Sequence, residues 1–89
     1  MMHMEFDPDK GARNRLKHGV SFAEAEPVFN DPLALTREDE DAHGERRFVT
    51  LGLGALGRLL VVVWTQRGDV IRLISVREAT RNERKAYES

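Results

Sequence analysis

Cysteine is absent from this chain, which excludes a disulfide scaffold, thiol chemistry and any cysteine-based zinc site. Long apolar runs are also missing. The longest, Leu59 to Trp64, falls far short of the ~20 residues a membrane-spanning helix needs. The N-terminus has no basic start followed by an apolar stretch, so no secretory signal is expected. No segment is low in complexity, and no repeat or linker divides the 89 residues. Together these absences predict one soluble, cytoplasmic domain spanning residues 1–89.

The three histidines, His3, His18 and His43, fall in no HExxH or HxH spacing, and the acids Asp39, Glu40 and Asp41 match no calcium loop. Neither a metal nor another cofactor is expected. The glycines between Gly52 and Gly57 lack the lysine and hydroxyl residue of a phosphate loop and read instead as a hairpin connection.

Charge is present in quantity but unevenly placed. The formal total is only −1, yet through Glu45 five bases face eleven acids, and from Arg46 onward nine bases face four. The second half is thus a basic module, and eight of its nine bases are arginine, whose planar fork meets phosphate oxygens two at a time.

The local pattern predicts an α+β domain: two N-terminal helices, a four-stranded, mainly antiparallel meander and a C-terminal helix. Asp7-Pro8 opens the first helix and Gly19 follows its end at His18. Ser21 and Glu24 have the spacing of a capping box for a second helix reaching Phe29, which Pro27 should bend or shorten. A short strand is expected over Leu33–Thr36, then a solvated acidic loop from Arg37 to Gly44. Strands follow at Phe48–Leu53, Arg58–Gln66 and Ile71–Val76, the last two joined at Gly68-Asp69. Thr80 and Glu83 make a second capping box that starts a helix through Tyr87.

A two-residue turn at Gly68-Asp69 pairs Arg67 with Val70 and Thr65 with Arg72, which puts Arg67, Thr65 and Arg72 on one face. The same count sets Leu60 beside Arg77 on the other face. An arginine inside the apolar run Val70–Ile74 calls for a reason. Arg72 either pairs with a carboxylate such as Glu83, points to solvent, or joins Arg67 and Arg77 around a phosphate. His18, at a helix end, either answers the helix dipole or serves as acid or base toward a ribose hydroxyl. His3 in a frayed terminus and His43 in the acidic loop are bystanders. Trp64 is either core or a stacking platform for a base, and with Arg58 and Arg67 it completes the RNA-binding candidates.

Several stretches then resemble one family. Asp7-Pro8-Asp9-Lys10, Asn14, Lys17-His18-Gly19-Val20-Ser21-Phe22 and Val28-Phe29-Asn30-Asp31-Pro32 look like BrnT, as do Glu45-Arg46-Arg47-Phe48, Ile71-Arg72-Leu73-Ile74-Ser75, Arg77 and Glu83-Arg84. The likeness runs from Phe6 to Glu88, with Phe6 standing where a tryptophan is common. It implies a RelE-like fold and the toxin of a bacterial type II toxin–antitoxin pair, which cleaves RNA and blocks translation. It also implies a ribbon-helix-helix antitoxin similar to BrnA, with DNA engaged only through that partner. By the same resemblance His18, Arg47, Arg72 and Arg77 are the catalytic candidates, for a metal-independent endoribonuclease that leaves a 2′,3′-cyclic phosphate. The competing expectation is a non-catalytic module that binds nucleic acid or the antitoxin.

Overall fold

The computed structural model describes residues 3–40 and 44–89; His43 and the middle of the acidic loop lie outside them. The chain forms β1 (His3–Glu5), α1 (Pro8–His18), a 3-10 helix (Phe22–Asn30), β2 (Leu35–Asp39), β3 (Arg47–Leu53), β4 (Leu59–Arg67), β5 (Val70–Glu78) and α2 (Arg81–Glu88). The strands make one sheet in the order β1-β5-β4-β3-β2, antiparallel throughout except that β1 runs parallel to β5. It is therefore a mixed sheet of five strands, where sequence predicted four.

Helix α1 forms as its punctuation suggests. The Asp7 carboxylate accepts from the Asp9 N–H at 2.9 Å, and Gly19 ends the helix at φ 70°, where a side chain would be strained. The next segment differs from expectation. Ser21 makes no side-chain cap, and Glu24 is drawn instead to Arg58, so no capping box closes. With Pro27 unable to donate a backbone bond, the segment winds as a 3-10 helix and not an α-helix.

The strand expected at Leu33–Thr36 begins two residues later and runs into the acidic stretch. Asp31 is the cause: its carboxylate holds the Leu33 N–H and its carbonyl the Ala34 N–H, which makes 31–34 a turn. Strand β2 then pairs with β3 from Leu35↔Leu51 to Asp39↔Arg47. At the other edge His3 lies in β1, not in a frayed end, with His3↔Val70 and Glu5↔Arg72 in register.

The sheet has two unlike faces. One carries α1 and the 3-10 helix over a core of Val20, Phe22, Val28, Leu60, Val62 and Ile71. The other holds Leu51, Leu59 and Val61, partly covered by Ala79 and Tyr87 at α2. Helix α2 buries none of its residues, and its capping box at Thr80 and Glu83 is complete.

Candidate functional site

Alternation along the strands decides which side chains share the α2-bearing face. The hairpin register is as the turn implied, with Arg67↔Val70 and Thr65↔Arg72. Beyond Trp64 the register shifts, leaving Ile74 without a partner, so Arg77 pairs with Val61 and not with Leu60. This β-bulge reverses the expected facing. Ile71, Leu73 and Val76 all point into the helix-side core, which puts Arg72 and Arg77 together on the opposite face although they are five residues apart.

One row across that face contains most of the charge. Asp39 pairs with Arg47, Arg47 stands one step beyond the Phe48↔Trp64 pair and so beside Thr65, and Thr65↔Arg72 and Arg72↔Glu5 complete it. Two guanidinium groups thus flank a buried threonine, with a carboxylate at each sheet edge. The Thr65 hydroxyl donates to the Arg46 carbonyl at 2.7 Å, which fixes its side chain. The Arg47 Nε is buried and has no hydrogen-bond partner among the described residues.

The three arginines expected to converge on an open phosphate pocket do not do so. Arg67 bonds Glu45 at 3.2 Å, Arg72 bonds Glu5 at 3.2 Å, and Arg77 grips both oxygens of Glu83 at 2.8 Å. These pairs differ in weight. Arg67–Glu45 is well exposed, and pairs of that kind contribute only ~0–1 kcal/mol. The bidentate Arg77 fork, with help from Thr80, holds the Glu83 carboxyl down at about 2. Arg77 therefore anchors α2.

Arg58 lies elsewhere. It bridges from the start of β4 to the buried Glu24, at 2.5 and 2.8 Å, and to the Gly19 carbonyl, a structural ion pair that holds Glu24 below the usual carboxylate range. Trp64 is on the helix side, stacked on Phe48, edge-on to Phe29 and donating to the Thr50 hydroxyl at 2.8 Å. It is core, on the face opposite Arg72.

His18 stands at the end of α1 and lines a recess with Lys10, Arg13, Lys17, Ile74 and Ser75, separate from the arginine row. Among the described residues its side chain makes no hydrogen bond or ion pair. Asn14, which the sequence offered only as part of the family resemblance and with no role, is buried on the same helix. Its amide donates to the Val20 and Val76 carbonyls and its oxygen accepts from the Val76 N–H, which ties α1 to the edge of β5. A polar residue spaced i, i+4 from Lys10 and His18 on a mostly polar helix carries no hydrophobic signal, so only the fold exposes it.

Comparison with known proteins bears on the family and the fold. A family model described as ribonuclease toxin, BrnT, of type II toxin-antitoxin systems matches residues 6–83. A solved structure, the Brucella abortus ribonuclease toxin BrnT, superposes with a TM-score of 0.70 at 22% identity, over 91% of this chain and 100% of that one. No curated protein sequence matches. Among the described residues no helix is long and apolar enough to cross a membrane.

Proposed function

The chain belongs to the BrnT family of ribonuclease toxins of type II toxin–antitoxin systems, and from that premise we propose that it cuts RNA internally, without a metal, by attack of a ribose 2′-hydroxyl on the adjacent phosphate. The observation that carries this reading is that Arg47 and Arg72 stand on either side of Thr65 in one row, with the Arg47 Nε buried and without a partner among the described residues. A buried donor left open costs free energy unless something accepts from it. Two strand spacings, about 10 Å, separate the Arg47 and Arg72 backbones. Long side chains over that gap reach a single phosphoryl group above Thr65.

In this reading Arg72 exchanges Glu5 for the phosphate, a small cost because the Glu5 side chain is half exposed and its bond is a long one at 3.2 Å. Arg47 and Arg72 then stabilise the charge that grows on the non-bridging oxygens. Arg67 holds the flanking backbone, and Arg77 keeps α2 in place beside the site. His18, in the α1 recess apart from this row, serves as acid or base only to a strand that bends round the β5 edge toward it, because proton transfer needs hydrogen-bond reach. The product carries a 2′,3′-cyclic phosphate, and loss of messenger or ribosomal RNA blocks translation. The antitoxin partner is a ribbon-helix-helix protein similar to BrnA, which contacts DNA on the toxin's behalf.

The carboxylates on Arg67, Arg72 and Arg77 favour one other reading, a face that holds RNA or the antitoxin without cutting. Incubation with unmodified RNA in EDTA separates the two. Cleavage is expected to persist in EDTA and to fall ~10²–10³-fold in Arg72→Ala and in Arg47→Ala, the usual loss of one well-placed donor. Abolition by EDTA, or unchanged cleavage in both folded variants, would sink the mechanism.

A further inference from the structure

We infer that α1 carries a second anion site, a track for three successive phosphates of an RNA strand, formed by Lys10, Arg13 and Lys17 and leading over the β5 edge to the arginine row. The inference rests on the ribonuclease reading for its ligand class, and on four observations for its place.

Lys10, Arg13, Asn14, Lys17 and His18 are spaced i, i+3, i+4, i+7 and i+8, so they form one stripe of the helix. All five line a single recess of about 290 Å³. Like charges at these spacings repel one another. Among the described residues no carboxylate pairs with Lys10, Arg13 or Lys17; the one side-chain bond in the set runs from Arg13 Nε to the Asp9 carbonyl. The contrast with Arg58, Arg67, Arg72 and Arg77 is direct, since each of those holds a carboxylate.

The stripe is also rigidly placed. Asn14, at its centre, is bonded to both backbone groups of Val76, so the helix that bears the bases is held against β5. The far wall of the recess is Ile74 and Ser75, the bulge itself. Ser75 pairs with Val63 and so belongs to the arginine face, between Arg72 and Arg77. Strand β1 covers β5 only at Val70–Arg72, which leaves that edge open beside the recess. One residue thus touches both surfaces, and the stripe continues into the row. Along the helix Lys10 and Lys17 are about 10 Å apart at 1.5 Å per residue. That length spans about three steps of ~3.4 Å rise in a stacked strand, room enough for each of the three bases to meet its own phosphate.

The test uses the full chain and a fluorescent 12-nucleotide RNA with every 2′-hydroxyl methylated, followed by anisotropy across a salt series. Such a probe cannot be cut by 2′-hydroxyl attack, so the result is decided whether or not the chain cleaves RNA, and cleavage is scored separately on unmodified RNA. In the triple variant Lys10→Gln, Arg13→Gln, Lys17→Gln the slope of log K against log salt is expected to flatten by about 2, since each phosphate contact on a single strand contributes ~0.7. At 0.1 M salt that corresponds to roughly 100-fold weaker binding. A control triple, Arg15→Gln, Arg81→Gln, Lys85→Gln, removes the same charge elsewhere and should move the slope far less. An unchanged slope, or equal flattening in both triples, overturns the inference. Loss of antitoxin binding with the RNA slope intact also overturns it, because the stripe would then be a protein-docking surface. Should the triple fail to fold, Lys10→Gln and Lys17→Gln singly are each expected to flatten the slope by about 0.7, and no change in either overturns it equally.

Discussion

Replacing Asn14 by leucine should nearly unfold the protein, although the side chain touches no substrate. Asn14 is 6% exposed and makes three hydrogen bonds, at 2.8, 2.9 and 3.0 Å. Leucine has the same branched shape and is somewhat larger, so no cavity forms; the loss counted here is polar. Each bond contributes about 1 kcal/mol net, and the Val76 N–H left without a partner adds a desolvation penalty of about 1–3 kcal/mol. At its lower end the sum is about 4 kcal/mol, against a total stability of roughly 4–13 kcal/mol for a domain this size. At ~4–8 °C per kcal/mol the melting temperature should fall by roughly 15–30 °C, measured by circular dichroism. Aspartate should do no better, because its second oxygen would face the Val20 and Val76 carbonyls. A leucine variant melting within about 4 °C of the parent would refute the reasoning, and with it the claim that Asn14 pins α1 to β5.

Two further outcomes follow from packing and charge. A Cβ at Gly54 would stand 2.5 Å from Leu60 Cδ1 and 2.8 Å from the Glu24 carbonyl, so Gly54→Ala should cost about 1–3 kcal/mol by overpacking, read as a lower urea midpoint; an unchanged midpoint would contradict the close approach. Glu83 sits at about 2 in the folded chain against 4.5 ordinarily, so its stabilisation is complete above 4.5 and is lost as pH falls from there toward 2. At 1.36 kcal/mol per pH unit the full effect would be about 3 kcal/mol, cut by solvent to about 1 kcal/mol because both side chains are roughly one-third exposed. Glu83→Gln should therefore narrow the stability difference between pH 6 and pH 3 by about that amount, and equal acid sensitivity of variant and parent would exclude the pair as its source.

Local signals in the sequence were legible where one residue type has one conformational use. Asp7, Gly19 and the Thr80–Glu83 box each formed as their chemistry requires, and Gly68-Asp69 set the hairpin register. What escaped was decided by distant partners. Strand β1 is three residues long, too short for a period to show, and exists because Met4 and its neighbours meet β5. Strand β2 is almost wholly exposed, so its backbone pairing with β3 leaves no apolar pattern. The bulge at Ile74 cannot be counted from a turn, and it alone moves Arg77 to the face of Arg72. An ion pair for Arg72 was one of the expected alternatives, with Glu83 as the example, but its partner was not legible: Arg72 meets Glu5 across 67 positions, Arg58 meets Glu24 across 34, and no spacing rule reaches that far. The α1 stripe, by contrast, was open to view in the spacing of Lys10, Arg13 and Lys17, and was overshadowed by the arginine-rich second half.

The most direct measurement of the chemistry proposed for the Arg47–Thr65–Arg72 row is the identity of the new RNA ends. Mass spectrometry of fragments released from a short unmodified RNA should find a 2′,3′-cyclic phosphate on one side of the cut and a 5′-hydroxyl on the other, with no cutting where the single 2′-hydroxyl at the cleaved position is replaced by hydrogen. A 3′-hydroxyl facing a 5′-phosphate, or cutting that persists at the deoxy position, would contradict it.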